Sequence, residues 1–171
     1  PQQCFRNKDY GTVPIHQLQG ATKEEDGTIV VLHEEAFLLT QWLEKGVFKA
    51  LEQEYLHSLS FAIYTKHPVS KEDLLLELYE FKLGYQDTNN NQPSINDVPL
   101  HSKEAVKNQA GRFIRSLAEF TGTLDVIPEE RWITLQLKYE ENTPQEYEPD
   151  FFQAADRSLF SKVDLPLVIK V

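Results

Sequence analysis

Two stretches of the chain carry apolar residues at the spacing of an amphipathic α-helix. The first covers residues 34–54, where the apolar positions recur every four residues: Leu39, Leu43, Val47 and Leu51. The second begins after Ser102, a favourable N-cap residue, and its end is marked by Gly122 and Pro128. Its apolar positions are Val106, Ala110, Phe113, Leu117, Phe120 and Leu124. Such spacing places these side chains on one helical face, so both stretches are predicted to be helices that pack on a core.

Gly46 lies inside the first predicted helix, although glycine lowers the stability of a helix interior. Either this cost is tolerated, or the missing side chain allows another part of the backbone to approach closely. The sequence leaves both interpretations open.

Other stretches alternate apolar and polar residues, as strands with one buried face do. They cover residues 55–64, 74–85, 132–139 and 165–171. In the first of them, Leu59, Phe61 and Ile63 share one face, and smaller residues share the other. The first two stretches are predicted to be antiparallel neighbours, joined by a connection of about ten residues that is longer than a tight hairpin turn.

The remaining segments show no clear period. Residues 1–33 are interrupted by glycine and proline and are predicted to be irregular, although residues 28–32 also suit a short strand or the lead-in to the first helix. Residues 86–101 are rich in asparagine and are predicted to form a loop. Strands grouped with two amphipathic helices indicate an α+β fold, in which helices pack on one face of a mainly antiparallel sheet.

Composition agrees with one globular domain, since 40% of the 171 residues are hydrophobic and 26% are charged. The chain starts at Pro1 and holds no methionine, which is typical of a domain or fragment of a longer protein. Signals at the natural ends of that protein are therefore not expected in it. Apolar runs are short and broken by charges, so no membrane helix is predicted.

The formal net charge of −10 argues against broad electrostatic binding to nucleic acid. One local exception is the outer side of the second predicted helix, which carries Lys103, Lys107, Arg112 and Arg115. Aromatic residues are not interleaved with these charges, so a solvated helix surface is favoured over a platform for nucleic acid.

The sequence lacks several motifs that mark common enzyme classes. It holds no glycine-rich phosphate loop, no zinc-protease motif and no nucleophile elbow. Its five histidines are scattered without the spacing of metal ligands, and Cys4 is its one cysteine. Adjacent carboxylates such as Glu129 and Glu130 point apart on a helix or strand and make poor acid–base pairs. We therefore expect no catalytic residues, no metal and no cofactor.

Three stretches together resemble one family. They are Gln-Trp-Leu-Glu-Lys-Gly-Val-Phe-Lys-Ala-Leu at 41–51, Leu-Asp-Val-Ile-Pro-Glu-Glu-Arg at 124–131, and Tyr-Glu-Pro-Asp-Phe-Phe at 147–152. In this order and spacing they resemble the HORMA domains of meiotic chromosome-axis proteins. The resemblance extends over nearly the whole chain, and its first and third stretches are typical of the meiotic branch.

The resemblance implies a single HORMA-like domain over residues 1–171, with a core over 1–141 that lacks the family's N-terminal helix. Residues 142–171 would be a mobile "safety belt" that wraps a short closure-motif peptide while the peptide adds a strand to the sheet. The residues implied in peptide binding are Tyr147, Phe151, Phe152, Leu165, Leu167 and Ile169. From the residues alone, the aromatic side chains in this acidic tail either fold back onto the sheet or await a partner.

The function that the resemblance implies is that of a non-enzymatic adaptor of the meiotic chromosome axis. Such an adaptor would lie in the nucleus on chromosomes and support homologue pairing, recombination and synapsis. Its expected partners are closure-motif peptides, from itself or from axis core proteins, and an AAA+ ATPase that reopens the belt. Direct DNA contact through the basic helix side is one alternative, and a checkpoint or repair HORMA adaptor is another.

Overall fold

The computed structural model of the chain describes residues 4–11, 13–85, 93–100 and 102–155. These residues divide between two compact units. Unit 1 is formed by the chain up to Gln53 together with Pro144–Ala154, and unit 2 is centred on Glu54–Thr143.

Unit 1 begins with two antiparallel β-hairpins. Strand β1 (Phe5–Tyr10) pairs with β2 (Val13–Leu18), and β3 (Ala21–Lys23) pairs with β4 (Ile29–Val31). The expectation of irregular structure over residues 1–33 is therefore wrong, although the short-strand alternative within 28–32 is confirmed. Alternation of apolar and polar residues did not reveal these strands. Strand β1 is almost entirely exposed on both faces, and β4 is apolar but exposed throughout.

The turn of the second hairpin is built by local hydrogen bonds. The Thr28 amide donates to Asp26 Oδ1 at 2.8 Å, and the Gly27 amide donates to the Glu24 carbonyl at 3.0 Å. Gly27 has a φ of +90°, a conformation that other residues adopt with strain. Hydrogen bonds from the backbone and then the side chain of Thr28 lower the pKa of Asp26 below its ordinary value.

The predicted first helix is confirmed, but its middle is wound more widely than an α-helix. Helix α1 (Glu34–Gln41) continues into a π-helical segment (Trp42–Val47) and then into α2 (Phe48–Glu52). Gly46, Val47 and Ala50 are buried along this run. A π-helical segment of this length is rare and is frequently found at functional sites.

Unit 2 is an antiparallel sheet with one long helix. Among its described residues, five strands lie in the order β8-β7-β6-β5-β9. Their bounds are Leu56–Lys66 (β5), Asp73–Gly84 (β6), Ser94–Ile95 (β7), Val98–Pro99 (β8) and Trp132–Tyr139 (β9), and helix α3 covers Lys103–Thr121. The α+β fold class is confirmed, as are both long strands, β9 and the second helix.

Two loop predictions need correction. The connection between β5 and β6 covers only residues 67–72, because both strands extend further than the alternation indicates. Within the predicted loop over 86–101, β7 and β8 form a small hairpin that extends the sheet, and residues 86–92 lie outside the described residues. Two-residue strands are too short to show a period.

The two faces of the sheet differ in side-chain size. On one face the cross-strand row Phe81–Leu59–Leu137 lies next to the row Tyr79–Phe61–Leu135. Helix α3 packs against this face, since the Phe113 and Phe81 rings meet edge to face with centroids 5.6 Å apart.

The opposite face carries the small residues of β5. Ser58, Ser60 and Ala62 are all buried there, together with Leu56, which is only 1% exposed. The residues of β5 with the larger side chains on the α3 face are only partly buried. Small size and deep burial together indicate a closely packed surface at the centre of β5.

Two tyrosines, one within β6 and one directly after it, are expected to make the stability of unit 2 depend on pH. Tyr85 donates its hydroxyl hydrogen to the Leu56 carbonyl at 2.8 Å, and burial, followed by the charge of Glu140, raises its pKa to about 12. Burial and a 2.6 Å hydrogen bond to Glu77 also raise the pKa of Tyr79. Both groups are therefore neutral in the folded protein at a pH where an unfolded tyrosine ionises.

We expect the free energy of unfolding to be unaffected by these groups below about pH 10 and to fall as the pH rises from there towards 12. The sign follows because the unfolded chain releases the phenolic protons more readily than the folded chain. Urea denaturation at a series of pH values measures this slope. Tyr85→Phe and Tyr79→Phe should each flatten it, and an unchanged slope in both variants would contradict the assignment.

Candidate functional site

The main candidate site is the outer edge of β9. This strand is the last in the sheet order, and β5 is its only strand partner in the described part of the chain. An edge strand presents a row of backbone amide and carbonyl groups on which another strand can form a ladder. The opposite edge is formed by β8, which has only two residues. The longer β9 therefore offers the more extensive ladder.

The side chains of β9 give this edge two different faces. Ile133, Leu135 and Leu137 lie on the face that carries Phe113 of α3, while the other face carries Trp132 at its start and then the polar residues Thr134, Gln136 and Lys138. Since alternate side chains of an added strand lie beside these two rows, the edge favours a segment with an apolar row and a polar row.

An aromatic pair marks the first residue of β9. Trp132 stacks on Tyr64 of β5 with ring centroids 6.2 Å apart and an angle of 11° between the ring planes. Lys66 Nζ lies 5.1 Å from the centroid of the Trp132 ring and also forms an ion pair with Asp73. Burial, followed by the charge of Asp73, raises the pKa of Tyr64. The sequence alone did not predict this cluster, because only the register of β5 and β9 places Tyr64 opposite Trp132.

The aromatic residues predicted in the acidic tail lie in unit 1 and have different environments. Phe152 is half-buried and packs against Gly46 of the π-helical segment. Phe151 is 52% exposed and has a φ of +70°, which is unusual for a residue with a side chain. Tyr147 is half-buried. Of the two alternatives that the sequence left open, Phe152 folds back onto a helical segment instead of the sheet, and Phe151 faces solvent.

The other predicted belt residues, Leu165, Leu167 and Ile169, lie outside the described residues. Their role in peptide binding stays a prediction, as does that of the tail aromatics.

The predicted basic side of α3 is accessible where it is described. Lys107, Arg112 and Arg115 are exposed, and none of the ion pairs found among the described residues involves them. Lys103 begins α3, and its side chain lies outside the described part of the structure.

The described part of the chain lacks two further classes of site. It contains no group of three or more histidine, cysteine, aspartate or glutamate side chains arranged to hold a metal ion. Among the same residues, no helix combines the length and the apolar character needed to cross a bilayer.

The family of the chain is shown by a match to a known family. The model of the HORMA domain family matches residues 1–166. The chain belongs to the HORMA domain family. The resemblance predicted from the three sequence stretches is thus confirmed.

Two curated relatives of this HORMA domain are named as meiosis-specific. It is 31% identical to the meiosis-specific protein HOP1 of Saccharomyces cerevisiae in an alignment 138 residues long, and the match covers 71% of this chain and 22% of the relative. It is 30% identical to the meiosis-specific protein ASY1 of Arabidopsis thaliana in an alignment 130 residues long, and the match covers 67% of this chain and 21% of the relative. The chain thus spans about a fifth of the length of each.

Solved structures share the fold of this HORMA domain at low sequence identity. C. elegans HTP-2 bound to the HIM-3 closure motif has a TM-score of 0.69 and 17% identity, covering 91% of this chain and 66% of that chain. C. elegans HTP-1 bound to the same motif has a TM-score of 0.68 and 16% identity, with coverage of 91% and 67%. A chain of the mitotic checkpoint complex has a TM-score of 0.56 and 14% identity, with coverage of 91% and 69%.

Proposed function

We propose that this HORMA domain is a non-enzymatic adaptor that captures a short closure-motif peptide as an added strand on β9. The observation that carries the proposal is the position of β9 at the end of the sheet, with a single strand partner among the described strands. Structures of the same fold with bound closure motifs, those of HTP-2 and HTP-1, support a peptide as the added segment.

The C-terminal residues would retain the peptide. In this proposal residues 142–171 act as the belt, and the alternating residues Leu165, Leu167 and Ile169 supply the apolar row that holds it closed. Ladder hydrogen bonds would supply affinity, side-chain rows would supply selectivity, and enclosure by the belt would mainly slow dissociation.

The cellular role follows from the relatives. Because HOP1 and ASY1 are both meiosis-specific, we place the protein in the nucleus on the meiotic chromosome axis. There it would bind closure motifs of its own chain or of axis core proteins and support homologue pairing, recombination and synapsis. An AAA+ ATPase would reopen the belt. A checkpoint or repair role is the weaker alternative, because the two curated relatives are meiotic and the similarity to the checkpoint chain is lower.

The experiment that tests the proposed function is selection from a displayed library of random peptides of about 12 residues, longer than a typical strand. The expected result is enrichment of peptides that alternate apolar and polar residues, as the two rows of β9 require. Failure to enrich any peptide over a library panned against an unrelated protein would contradict the function. No turnover of nucleotide or ester substrates is expected.

DNA binding through α3 is the second candidate, favoured by the exposure of Lys107, Arg112 and Arg115. The net charge of −10 opposes it. A titration of duplex DNA at two salt concentrations separates the candidates, because phosphate contacts weaken steeply with salt. Salt-sensitive binding that is lost in Arg112→Glu/Arg115→Glu would support this second function.

A further inference from the structure

The π-helical segment Trp42–Val47 has a notch that exists only because residue 46 is glycine. A Cβ atom added at Gly46 would collide with Cε2 of Phe152 and would lie 2.7 Å from Cδ2 of the same ring. It would also lie 2.9 Å from the backbone oxygen of Asp150. All three atoms would be closer to the added Cβ than non-bonded atoms can be. The Phe152 ring can therefore occupy its observed position only if residue 46 has no side chain.

A second contact lies next to the notch. Lys49 Nζ is 3.0 Å from Asp150 Oδ2, and both side chains are more than half exposed. An exposed ion pair of this kind contributes little to stability, so it is a second point of contact between the tail and the helix and not the main one. Asp150 therefore contacts the helical run twice: its side chain pairs with Lys49, and its backbone oxygen lies next to Gly46.

The segment Pro144–Ala154, called the clasp from here on, has internal bonds that shape it for this contact. The Tyr147 amide donates to the Pro144 carbonyl at 3.0 Å, and the Phe152 amide donates to the Pro149 carbonyl at 3.1 Å. Pro149, the first residue of the second turn, is buried. The result is a folded segment and not an extended tail.

The two adjacent phenylalanines of the clasp differ in the position of their rings, and the backbone of the first is strained. Phe151 adopts a φ of +70°, which is unfavourable for a residue with a side chain and persists only where the surroundings hold it. With Phe151 in this conformation, its ring stays 52% exposed while the Phe152 ring fills the notch. The contact at Gly46 thus holds a conformation that the free segment would leave.

We propose that Pro144–Ala154 is a releasable clasp, locked by the Phe152 ring in the Gly46 notch, that anchors the start of the tail and sets how long a captured peptide is retained. The second half of this statement rests on the proposed function, whereas the first half concerns the unliganded protein. Gly46 and Phe152 are positioning residues in this scheme, since they act through the segment that they hold.

Hydrogen exchange on the peptide-free protein tests the anchor. In Phe152→Ala, we expect the amides of residues 144–154 to exchange about tenfold faster or more, with those of β9 unchanged, because only the local opening equilibrium shifts. Phe151→Ala is the matched control and should leave the exchange unchanged, while Phe152→Tyr should restore protection. A folded Phe152→Ala protein with wild-type exchange over 144–154 overturns the proposal.

Two further variants cover the case in which Phe152→Ala does not fold. Lys49→Gln removes the exposed ion pair and should speed exchange over 144–154 by no more than about fivefold, whereas Lys45→Gln, on an exposed lysine of the same π-helical segment, should leave it unchanged. Gly46→Ala should by itself speed exchange over 144–154, and a folded Gly46→Ala protein with wild-type exchange there overturns the proposal. Where Phe152→Ala does fold, the effect of Gly46→Ala should be smaller when added to Phe152→Ala than when added to wild type. Equal effects in both backgrounds would show that the ring and the notch are not coupled and would overturn the proposal.

Dissociation kinetics of a library-selected peptide test retention. Phe152→Ala should speed dissociation about tenfold while changing association much less, and Phe152→Tyr should restore the wild-type rate. Fast exchange over 144–154 with an unchanged dissociation rate overturns the proposal. If wild-type protein binds no selected peptide, the proposed function fails instead, and the exchange result still decides whether the clasp is an anchor.

Discussion

Replacing Leu56 with alanine is expected to lower the free energy of unfolding by about 2–5 kcal/mol, the range for removing a buried leucine side chain. Leu56 is the largest apolar side chain that is almost fully buried, at 1% exposure, among the described residues. Its carbonyl also accepts the hydrogen bond from the Tyr85 hydroxyl, so any backbone shift into the cavity would disturb a second contact.

Leu32→Ala is the matched control for this measurement. Leu32 is 53% exposed, so its replacement removes the same atoms from a side chain that buries much less surface. We expect a change of no more than about 0.5 kcal/mol, which is usual for surface positions. The measurement is the midpoint of urea denaturation of each variant, compared with that of the wild-type protein. Similar midpoints would show that the face of β5 that begins at Leu56 is not the packed surface described above.

Replacing Leu165, Leu167 and Ile169 together with serine is expected to raise the dissociation rate of a captured peptide about tenfold or more while association changes little. The reason is that these residues form the apolar row of the only alternating stretch in the sequence after residue 142. Without that row, the belt would lose the contacts that keep it closed. Surface-immobilised peptide kinetics measure both rates.

The matched control changes the other row of the same stretch, as Val168→Ser/Lys170→Ser. Because alternate residues of a strand lie on opposite faces, this variant should keep the wild-type dissociation rate. Equal effects of the two variants would argue against a strand at this place. Wild-type rates in both would argue against retention by these residues.

The elements that the sequence predicted best are those with one apolar face that packs on another element, as α3 packs on the sheet where Phe113 meets Phe81. Strand β9 agrees in both bounds with the stretch Trp132–Tyr139, and α3 follows the apolar spacing between Ser102 and Gly122. In these elements the burial of one face imposes a period on the sequence. Strands β1 and β4 lack that cause, because their residues are exposed on both faces, and no period could have revealed them.

Contacts between distant residues were only partly predictable. The sequence offered close backbone approach as one interpretation of Gly46, and the structure confirms it with the Asp150 backbone and adds the Phe152 ring. That the partner lies about a hundred positions away is a property of the fold and leaves no local signal. The same is true of the stacking of Trp132 on Tyr64, which depends on the register of two strands.

The central claim is that the bound peptide forms a ladder with the outer edge of β9. The most direct test is the affinity of a selected peptide that is N-methylated at its central backbone amides, one alternate set at a time. N-methylation removes a donor and leaves every side chain in place, so the account predicts that at least one alternate set weakens binding about tenfold or more, whereas raising the salt concentration has a small effect. Unchanged affinity for both sets, with binding that falls steeply with salt, would contradict strand addition and indicate capture by exposed charges.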